Sequence, residues 1–519
     1  RVNGGRDCPR AADAARGQST NGKLSPGPAP LGARLARTGS GAGRRAPTVA
    51  IVGGGASGAL VAANLLRRRH AAGMRIVIVE RRHELARGVA YSTTHPEHRL
   101  NVPAAEMGVW PDDQRHFVRW AARRGIALAG REFAPRGLFG EYLADVLAEA
   151  RRGADRGCEL EVVRDDAVAI HVAEQRAAGA RPVSIELASG GELDADLAVL
   201  ALGNLPPAAP PGADERVMAS DRYEPDPWAE GIAERAAGDR SILLVGTGLT
   251  MVDVALSLAE ACPDARLCAV SRSGLLPRRH GSQPLRPART FGPIPLRPKL
   301  YDIVSRVEAE AEAEASKGGD WRAVIDSLRP VTNEIWTRLS EADRRTFVQR
   351  YARRWDIHRH RMAPEVAALL DRARADGQLV IEAARCVSMR PCEGGIEVEL
   401  QPAGARGPET RRFDRVVNCT GPTLHLKAAG EPLLDDLFAR GLARPGPLGM
   451  GLDHDPLGAL VGADGRVSSH LFTIGPLRKG RLWETTAIPE IRQQAAELAA
   501  MLSGEIGRFS APPPRALAS

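Results

Sequence analysis

The sequence predicts an α/β chain built from two Rossmann-like dinucleotide-binding units, the second inserted into the first. Three observations carry this. Residues 47–80 spell a strand, a glycine-rich loop, a helix and a second strand ending in an acid. Residues 241–274 repeat that plan with one departure. Two further strand-plus-glycine segments, Leu197–Leu202 with Gly203 and Arg415–Cys419 with Gly421, stand where a chain would cross between two such units.

In the first unit, Thr48–Val52 is a short β-rich run followed directly by Gly53-Gly54-Gly55-Ala56-Ser57-Gly58. Ala59–Arg69 has apolar residues spaced for one helix face, and Arg75–Val79 forms the next strand before Glu80 and Arg81. Each part has a physical task. Gly53 permits the tight turn, Gly55 lets the backbone approach a pyrophosphate, and Gly58 allows close helix–strand packing. The helix start, with Ala56 and Ser57, presents free N–H groups and a positive dipole end to phosphate. Glu80 is placed to accept hydrogen bonds from an adenosine ribose. An ordinary tight turn would explain neither the third glycine nor the terminal acid.

The second unit begins with the apolar strand Ser241–Val245, followed by Gly246-Thr247-Gly248-Leu249-Thr250-Met251 and a helix over Val252–Ala261. Met251 replaces the usual third glycine, so helix and strand are expected to approach less closely. Asp253 falls in the first turns of the helix, where its charge suits the dipole. Strand Arg266–Val270 leads to Arg272, which stands where a 2′-phosphate would be met or is simply a surface charge. Gly246, Gly248, Thr250 and Arg272 are the expected contacts of a pyridine nucleotide; the alternative is a purely structural unit.

Two units in this order point to FAD in the first and NAD(P)H in the inserted second. The expected organisation is an Arg/Ala/Gly/Pro-rich disordered tail over 1–46, the FAD-binding domain over 47–204, and an inserted NAD(P)-binding-like domain with a helical insertion over 205–414. The FAD domain then closes over 415–505, before a disordered tail over 506–519.

The composition, 43% hydrophobic and 26% charged, is that of a globular chain able to fill a core. The net charge of +8 belongs to the first 46 residues, which hold eight Arg and one Lys against two Asp. The remainder is near neutral, and no nucleic-acid-binding face is expected. No apolar run reaches membrane-spanning length. The basic start lacks the apolar core of a secretory signal, although its composition is also that of a transit peptide. Seven scattered cysteines, none in C-x-x-C, argue for a reducing, cytoplasmic setting and against a dithiol redox centre. No metal-ligand pattern is present.

From about residue 47 to 505 the chain resembles a bacterial family of FAD/NAD(P)-binding proteins that includes the FAD-dependent urate hydroxylase and aspartate N-monooxygenase type. The resemblance is carried by Gly53–Gly58, Gly88-Val89-Ala90-Tyr91-Ser92, Leu100-Asn101-Val102-Pro103-Ala104, and Phe133-Ala134-Pro135-Arg136 with Gly140 and Tyr142. Gly246–Asp253, Trp355–Met362, Ile474-Gly475-Pro476 and Trp483-Glu484-Thr485-Thr486-Ala487 complete it. It implies a two-dinucleotide-binding-domain flavoprotein in which NAD(P)H reduces FAD. The flavin then reacts with O₂ to give a C4a-(hydro)peroxyflavin that hydroxylates a small polar, nitrogen-containing metabolite. The cofactor carries such chemistry, so no catalytic side chain is assigned. A flavin oxidase or dehydrogenase with a non-functional second site, and a catalytically silent flavin protein, remain alternatives; substrate, oligomeric state and NADH versus NADPH stay open.

The resemblance also marks single residues. Asn101 is expected at the flavin, or else in a turn before Pro103. Gly475 ends the strand Leu471–Ile474, and the helix Ile488–Leu502 would aim its N-terminus at the flavin ring. Pro476 stands where wider flavoprotein families carry Asp, which puts the usual ribityl contact in doubt. Thr486 and Trp483 are expected to line the flavin pocket, with core packing the alternative for Trp483. The run His358–Arg361, after a helix over Glu341–Asp356, either compensates a helix dipole or meets an anion. Val307–Lys317 reads as an exposed helix, and the Pro-rich stretch Leu275–Pro298 as a long loop of the kind that contacts ligands.

Overall fold

The computed structural model describes residues 45–70, 73–173, 180–281 and 291–510. Most of the two expected tails, and part of the Leu275–Pro298 loop, lie outside the described residues.

The first sheet has six strands in the order Ala459–Val461, Val467–Thr473, Leu197–Leu200, Thr48–Val52, Met74–Val79 and Cys158–Val163. All neighbours run parallel except the antiparallel edge pair. Thr48–Val52 is flanked by Met74–Val79 on one side and Leu197–Leu200 on the other. Chain order therefore reverses at this strand, and the crevice beyond its carboxyl end is where open α/β sheets bind ligands.

The second sheet has seven strands, of which Arg266–Ser271, Ser241–Val245 and Arg415–Asn418 are the fourth, fifth and sixth. Ser241–Val245 is its switch-point strand, the counterpart of Thr48–Val52. Arg415–Asn418 pairs within this sheet, so the chain returns to the first sheet only after Asn418 and not before Arg415. A three-stranded antiparallel sheet, Ala167–Val172, Val183–Leu187 and Glu192–Ala195, forms a separate layer.

Both glycine-loop helices begin earlier than their apolar spacing suggests, at Ala56–Leu66 and Leu249–Ala261. Gly55 and Gly248 are extended and cap them directly, so Ala56-Ser57-Gly58 and Leu249-Thr250-Met251 form the first turns. Met251 is fully buried against the core of the second unit, filling the space a glycine would leave. The closing helix runs over Ile488–Ser510, beyond residue 505, because the apolar stripe continues through Leu502 and Ile506.

Between strands Arg266–Ser271 and Leu379–Cys392 lies a helical insertion. Its helices include Leu300–Ser316, Trp321–Leu328, Thr332–Arg338 and Ala352–Arg359. The helix expected over Glu341–Asp356 is instead Glu341–Thr346, then a π turn at Phe347–Tyr351 that re-aims the chain into Ala352–Arg359. The helix expected over Val307–Lys317 starts at Leu300, and only its later part is the exposed helix anticipated. No described helix is long and apolar enough to cross a membrane.

Candidate active site

The first glycine loop closes a cleft lined by Gly53, Gly55, Ala56, Ser57, Glu80, Arg81, Gly203 and Thr486. Gly53 has φ +103°, and a Cβ there would lie 2.4 Å from the Ala201 carbonyl oxygen. At Gly58 a Cβ would lie 2.0 Å from the Gly53 carbonyl oxygen. Gly55 differs, since its nearest neighbour would be Gly88 Cα at 3.4 Å, and its missing side chain leaves the cleft itself open. Helix Ala56–Leu66 has neither a side-chain cap nor an acid in its first turn. Its leading N–H groups are thus free for an anion.

Glu80 is buried, and its carboxylate is already engaged. One oxygen accepts from Gly54 N at 2.7 Å and the other from Arg82 N at 2.8 Å. A carboxylate has about four acceptor directions, so two remain for ribose hydroxyls while the acid braces the loop. Free helix N–H groups, an open Gly55 and a half-used Glu80 together fit the diphosphate and ribose of FAD.

The second loop has the same geometry. Gly246 has φ +120°, with the Cys419 carbonyl oxygen 2.3 Å from where a Cβ would sit. Helix Leu249–Ala261 is likewise uncapped, and Gly248 has open space around it. Arg353 of the helical insertion reaches this loop: its Nη2 donates to the Thr247 carbonyl at 3.0 Å and to Thr247 Oγ1 at 3.1 Å, and it also bonds the Leu275 carbonyl. Arg272 is exposed at the strand end, in a shallow groove with Arg385 and Gln401.

Between the two loops lies a pocket of about 180 Å³ whose walls come from both units. Tyr91, Asn101 and Arg136 belong to the first; Leu249, Asp253, His360 and Met362 to the second; Thr486 and Ala487 close it. Arg136 Nη2 bonds Asp253 Oδ2 at 2.6 Å across the boundary. Burial lifts the Asp253 carboxyl from 3.8 to about 6, although Arg136 pulls the other way. Burial also holds His360 down at about 4, and His98, beside Arg136, at about 3. Both imidazoles are neutral near pH 7. His98 Nε2 approaches the Asp253 carbonyl at 3.0 Å and Ser257 Oγ at 2.9 Å, tying the units a second time.

The segment Trp483–Thr486 is fastened to the insertion by Asn333. Its Oδ1 accepts from Trp483 N at 2.9 Å and Glu484 N at 2.8 Å, and its Nδ2 donates to the Glu484 carbonyl at 2.8 Å. Glu484 lies buried 3.5 Å from Arg359 Nε. Burial would raise its carboxyl, but Arg359, His360 and Lys479 outweigh that and hold it below the usual range. Thr485 Oγ1 donates to the Gly475 carbonyl at 2.9 Å, while Gly475 N donates to Gln494 Oε1 at 3.0 Å.

Eight expected residues thus share the first cleft, and Thr486 also borders the inter-unit pocket with Asn101. Gly58 packs behind the loop, and Gly475 is buried against Ser57. Gly246, Gly248 and Thr250 form the second loop and its helix start, with Gly421 and its φ of +87° after the adjacent strand. Within His358–Arg361 the four side chains diverge. Arg359 meets Glu484, Arg361 bonds Asp326 at 2.7 Å, and His358 stacks edge-on to Trp321. Only His360 faces the pocket. In the sequence nothing near Arg353 or Asn333 distinguishes them from ordinary helix-surface residues.

Residues 50–205 match a family profile described as FAD-NAD(P)-binding. No curated protein matches the chain by sequence. Among solved structures, an ornithine N-hydroxylase of Kutzneria sp. 744 with reduced FAD, NADP⁺ and L-ornithine is similar at TM-score 0.61 and 14% identity, covering 90% of this chain and 100% of its own. An L-lysine 6-monooxygenase of Pseudomonas syringae follows at 0.58 and 14%, over 89% and 99% of the two chains. The FAD-bound cadaverine monooxygenase of Erwinia amylovora gives 0.57 and 13%, over 92% and 98%. At these identities the likeness is one of fold. Residues 50–205 thus carry a domain that matches an FAD-NAD(P)-binding profile, and the chain as a whole has the fold of flavoproteins with two dinucleotide-binding domains.

Proposed function

We propose that this protein is an FAD-dependent, NAD(P)H-using monooxygenase that hydroxylates a small nitrogen-containing metabolite. The observation that carries the reading is the pocket between the two loops, walled by Asn101 and Arg136 from one unit and by Asp253 and His360 from the other. The three similar structures are named for oxygenation of ornithine, lysine and cadaverine, all small amines.

In this reading Gly53–Gly58 and the following helix start hold the FAD diphosphate, and Glu80 holds the ribose. Gly246–Thr250, steadied by Arg353, holds the nicotinamide nucleotide. Reduced FAD supplies the oxygen activation: one atom of O₂ enters the substrate, and the other leaves as water with the two electrons of NAD(P)H. The protein's part is positioning and exclusion of water. Neutral His360 and the Arg136–Asp253 pair give the pocket a fixed polar wall that carries little net charge. Thr486 and Ala487, just before helix Ile488–Ser510, place its positive dipole end toward the same space. The described cysteines are all unpaired, which suits a reducing, cytoplasmic setting.

The test is anaerobic stopped-flow reduction of the purified yellow protein with NADH and NADPH, followed by aerobic turnover with amines and product mass. Bleaching by a nicotinamide, and a product heavier by one oxygen atom, are expected. Bleaching by substrate but by neither nicotinamide would replace this reading with an oxidase or dehydrogenase.

A further inference from the structure

The helical insertion forms an open-mouthed cavity of about 790 Å³ that none of the nucleotide-binding residues lines. Protein interiors pack to about 0.74 density and leave few voids larger than a water molecule, whereas small-molecule pockets run to roughly 300–1,000 Å³. The walls are apolar and rich in aromatic rings, with Val304, Trp321, Trp336, Phe347, Trp355 and Trp483 among them. The π turn at Phe347–Tyr351 swings Phe347 and Tyr351 onto this wall.

The polar lining is unbalanced. Among the described residues Glu308 is the only carboxylate on it, against Arg278, Arg322 and Arg354. Arg322 is committed to Asp320 at 2.9 Å and to the Arg279 carbonyl at 2.8 Å. Arg278 and Arg354 are exposed at the solvent edge, and neither guanidinium meets a carboxylate among the described residues. An ammonium group bound at the mouth would face two guanidinium groups.

The cavity is linked to the reaction space through one chain segment. Trp483 lines it, and Thr486, three residues on, lines both the first cleft and the inter-unit pocket. Asn333, on the cavity-wall helix Thr332–Arg338, holds the backbone of Trp483 and Glu484.

We propose that this cavity receives the substrate's apolar body, an aromatic or branched hydrophobic group, and that Arg278 and Arg354 meet an anionic group of the same molecule at the mouth. Its place in the reaction rests on the monooxygenase reading, but ligand binding can be measured apart from turnover. The FAD-loaded enzyme is titrated with phenylpropionate, phenylpropylamine and L-lysine while tryptophan fluorescence is followed. Phenylpropionate should quench saturably, the amine with the same ring should bind about fivefold more weakly or worse, and lysine should leave the signal unchanged. Val304→Trp should abolish the quenching while the bound-flavin spectrum persists. Arg354→Gln, at an exposed site where folding is not at stake, should weaken the acid up to about fivefold and bind the amine no more weakly than wild type does.

Phenylpropionate quenching that survives Val304→Trp overturns the proposal, as does an amine or lysine that binds as tightly as the acid. Such results would leave the monooxygenase reading standing if NAD(P)H still bleaches the flavin. Loss of that bleaching with acid binding intact would strike the monooxygenase reading alone.

Discussion

Arg136 and Asp253, 117 positions apart, form a 2.6 Å ion pair that joins the first nucleotide unit to the helix start of the second. Both side chains are largely shielded, at 14% and 11% exposure. Trp228 lies over the guanidinium at 5.0 Å, and the Arg136 Nε has no hydrogen-bond partner of its own. The pair thus fixes the spacing of the two glycine loops as well as one wall of the pocket between them.

Removing one partner should cost far more than neutralising the other. Arg136→Met leaves Asp253 buried and unpaired, which costs on the order of 3 kcal/mol when a shielded pair is broken. Asp253 also carries a pH signature. Its carboxyl is raised from 3.8 unfolded to about 6 folded, so the folded state holds the extra proton between those values. The contribution of this group to stability is full below about pH 4 and is lost as pH rises to about 6. Asp253→Asn should remove that slope. Urea unfolding midpoints across pH 4–7 for wild type, Arg136→Met and Asp253→Asn check both statements; parallel curves for wild type and Asp253→Asn would contradict the second.

The two glycines flanking the first helix start should fail in different ways. A Cβ at Gly58 would fall 2.0 Å from the Gly53 carbonyl oxygen, so Gly58→Ala must displace the loop and lower the melting temperature of the apoprotein. A Cβ at Gly55 would meet nothing closer than 3.4 Å. Gly55→Ala should leave apoprotein stability within about 0.5 kcal/mol of wild type yet weaken FAD binding about tenfold or more, because the methyl group occupies cleft space. Differential scanning calorimetry and FAD titration separate the two effects.

These local features were legible because they are local. Strands Thr48–Val52 and Ser241–Val245 fall where the apolar runs place them, and each glycine loop follows without a gap. Apolar spacing places both helix starts three residues late, since it does not register a first turn that belongs to the glycine loop. Contacts that assemble the pocket were not legible at all. Arg353 reaches Thr247 across 106 positions and Asn333 reaches Glu484 across 151. Each pairs a helix-surface side chain with backbone, and backbone groups carry no sequence identity to read. The aromatic cavity escaped for a related reason: its rings are scattered over helices whose turns the spacing alone does not orient.

Arg353 should govern the second loop and not the first. Its guanidinium gathers the Thr247 carbonyl, Thr247 Oγ1 and the Leu275 carbonyl, while burial holds its own pKa below the ordinary value. Arg353→Ala removes charge-assisted bonds worth about 1.5–3 kcal/mol, which corresponds to roughly tenfold or more in the concentration of NAD(P)H needed for half-maximal anaerobic flavin reduction. FAD affinity and the oxidised flavin spectrum should not move. Arg353→Lys, which keeps the charge but not the fork, should recover only part of the loss.

Glu484 should behave in the opposite sense to Asp253 on the acid side. Arg359, His360 and Lys479 hold its carboxyl below the ordinary 4.5 despite burial. Its stabilising contribution is therefore present above about pH 4.5 and lost as pH falls through the folded value. Glu484→Gln keeps the shape and the backbone clamp from Asn333 but leaves Arg359 buried without its counter-charge, so a loss of about 3 kcal/mol near neutral pH is expected. Asn333→Ala should spare that ion pair and instead free the segment leading to Thr486. The two variants are told apart by their flavin spectra. Asn333→Ala should broaden the visible bands through a looser pocket wall, and Glu484→Gln should mainly shift the acid limb of the unfolding curve. Identical acid limbs for wild type and Glu484→Gln would show that the ion pair does not hold this segment.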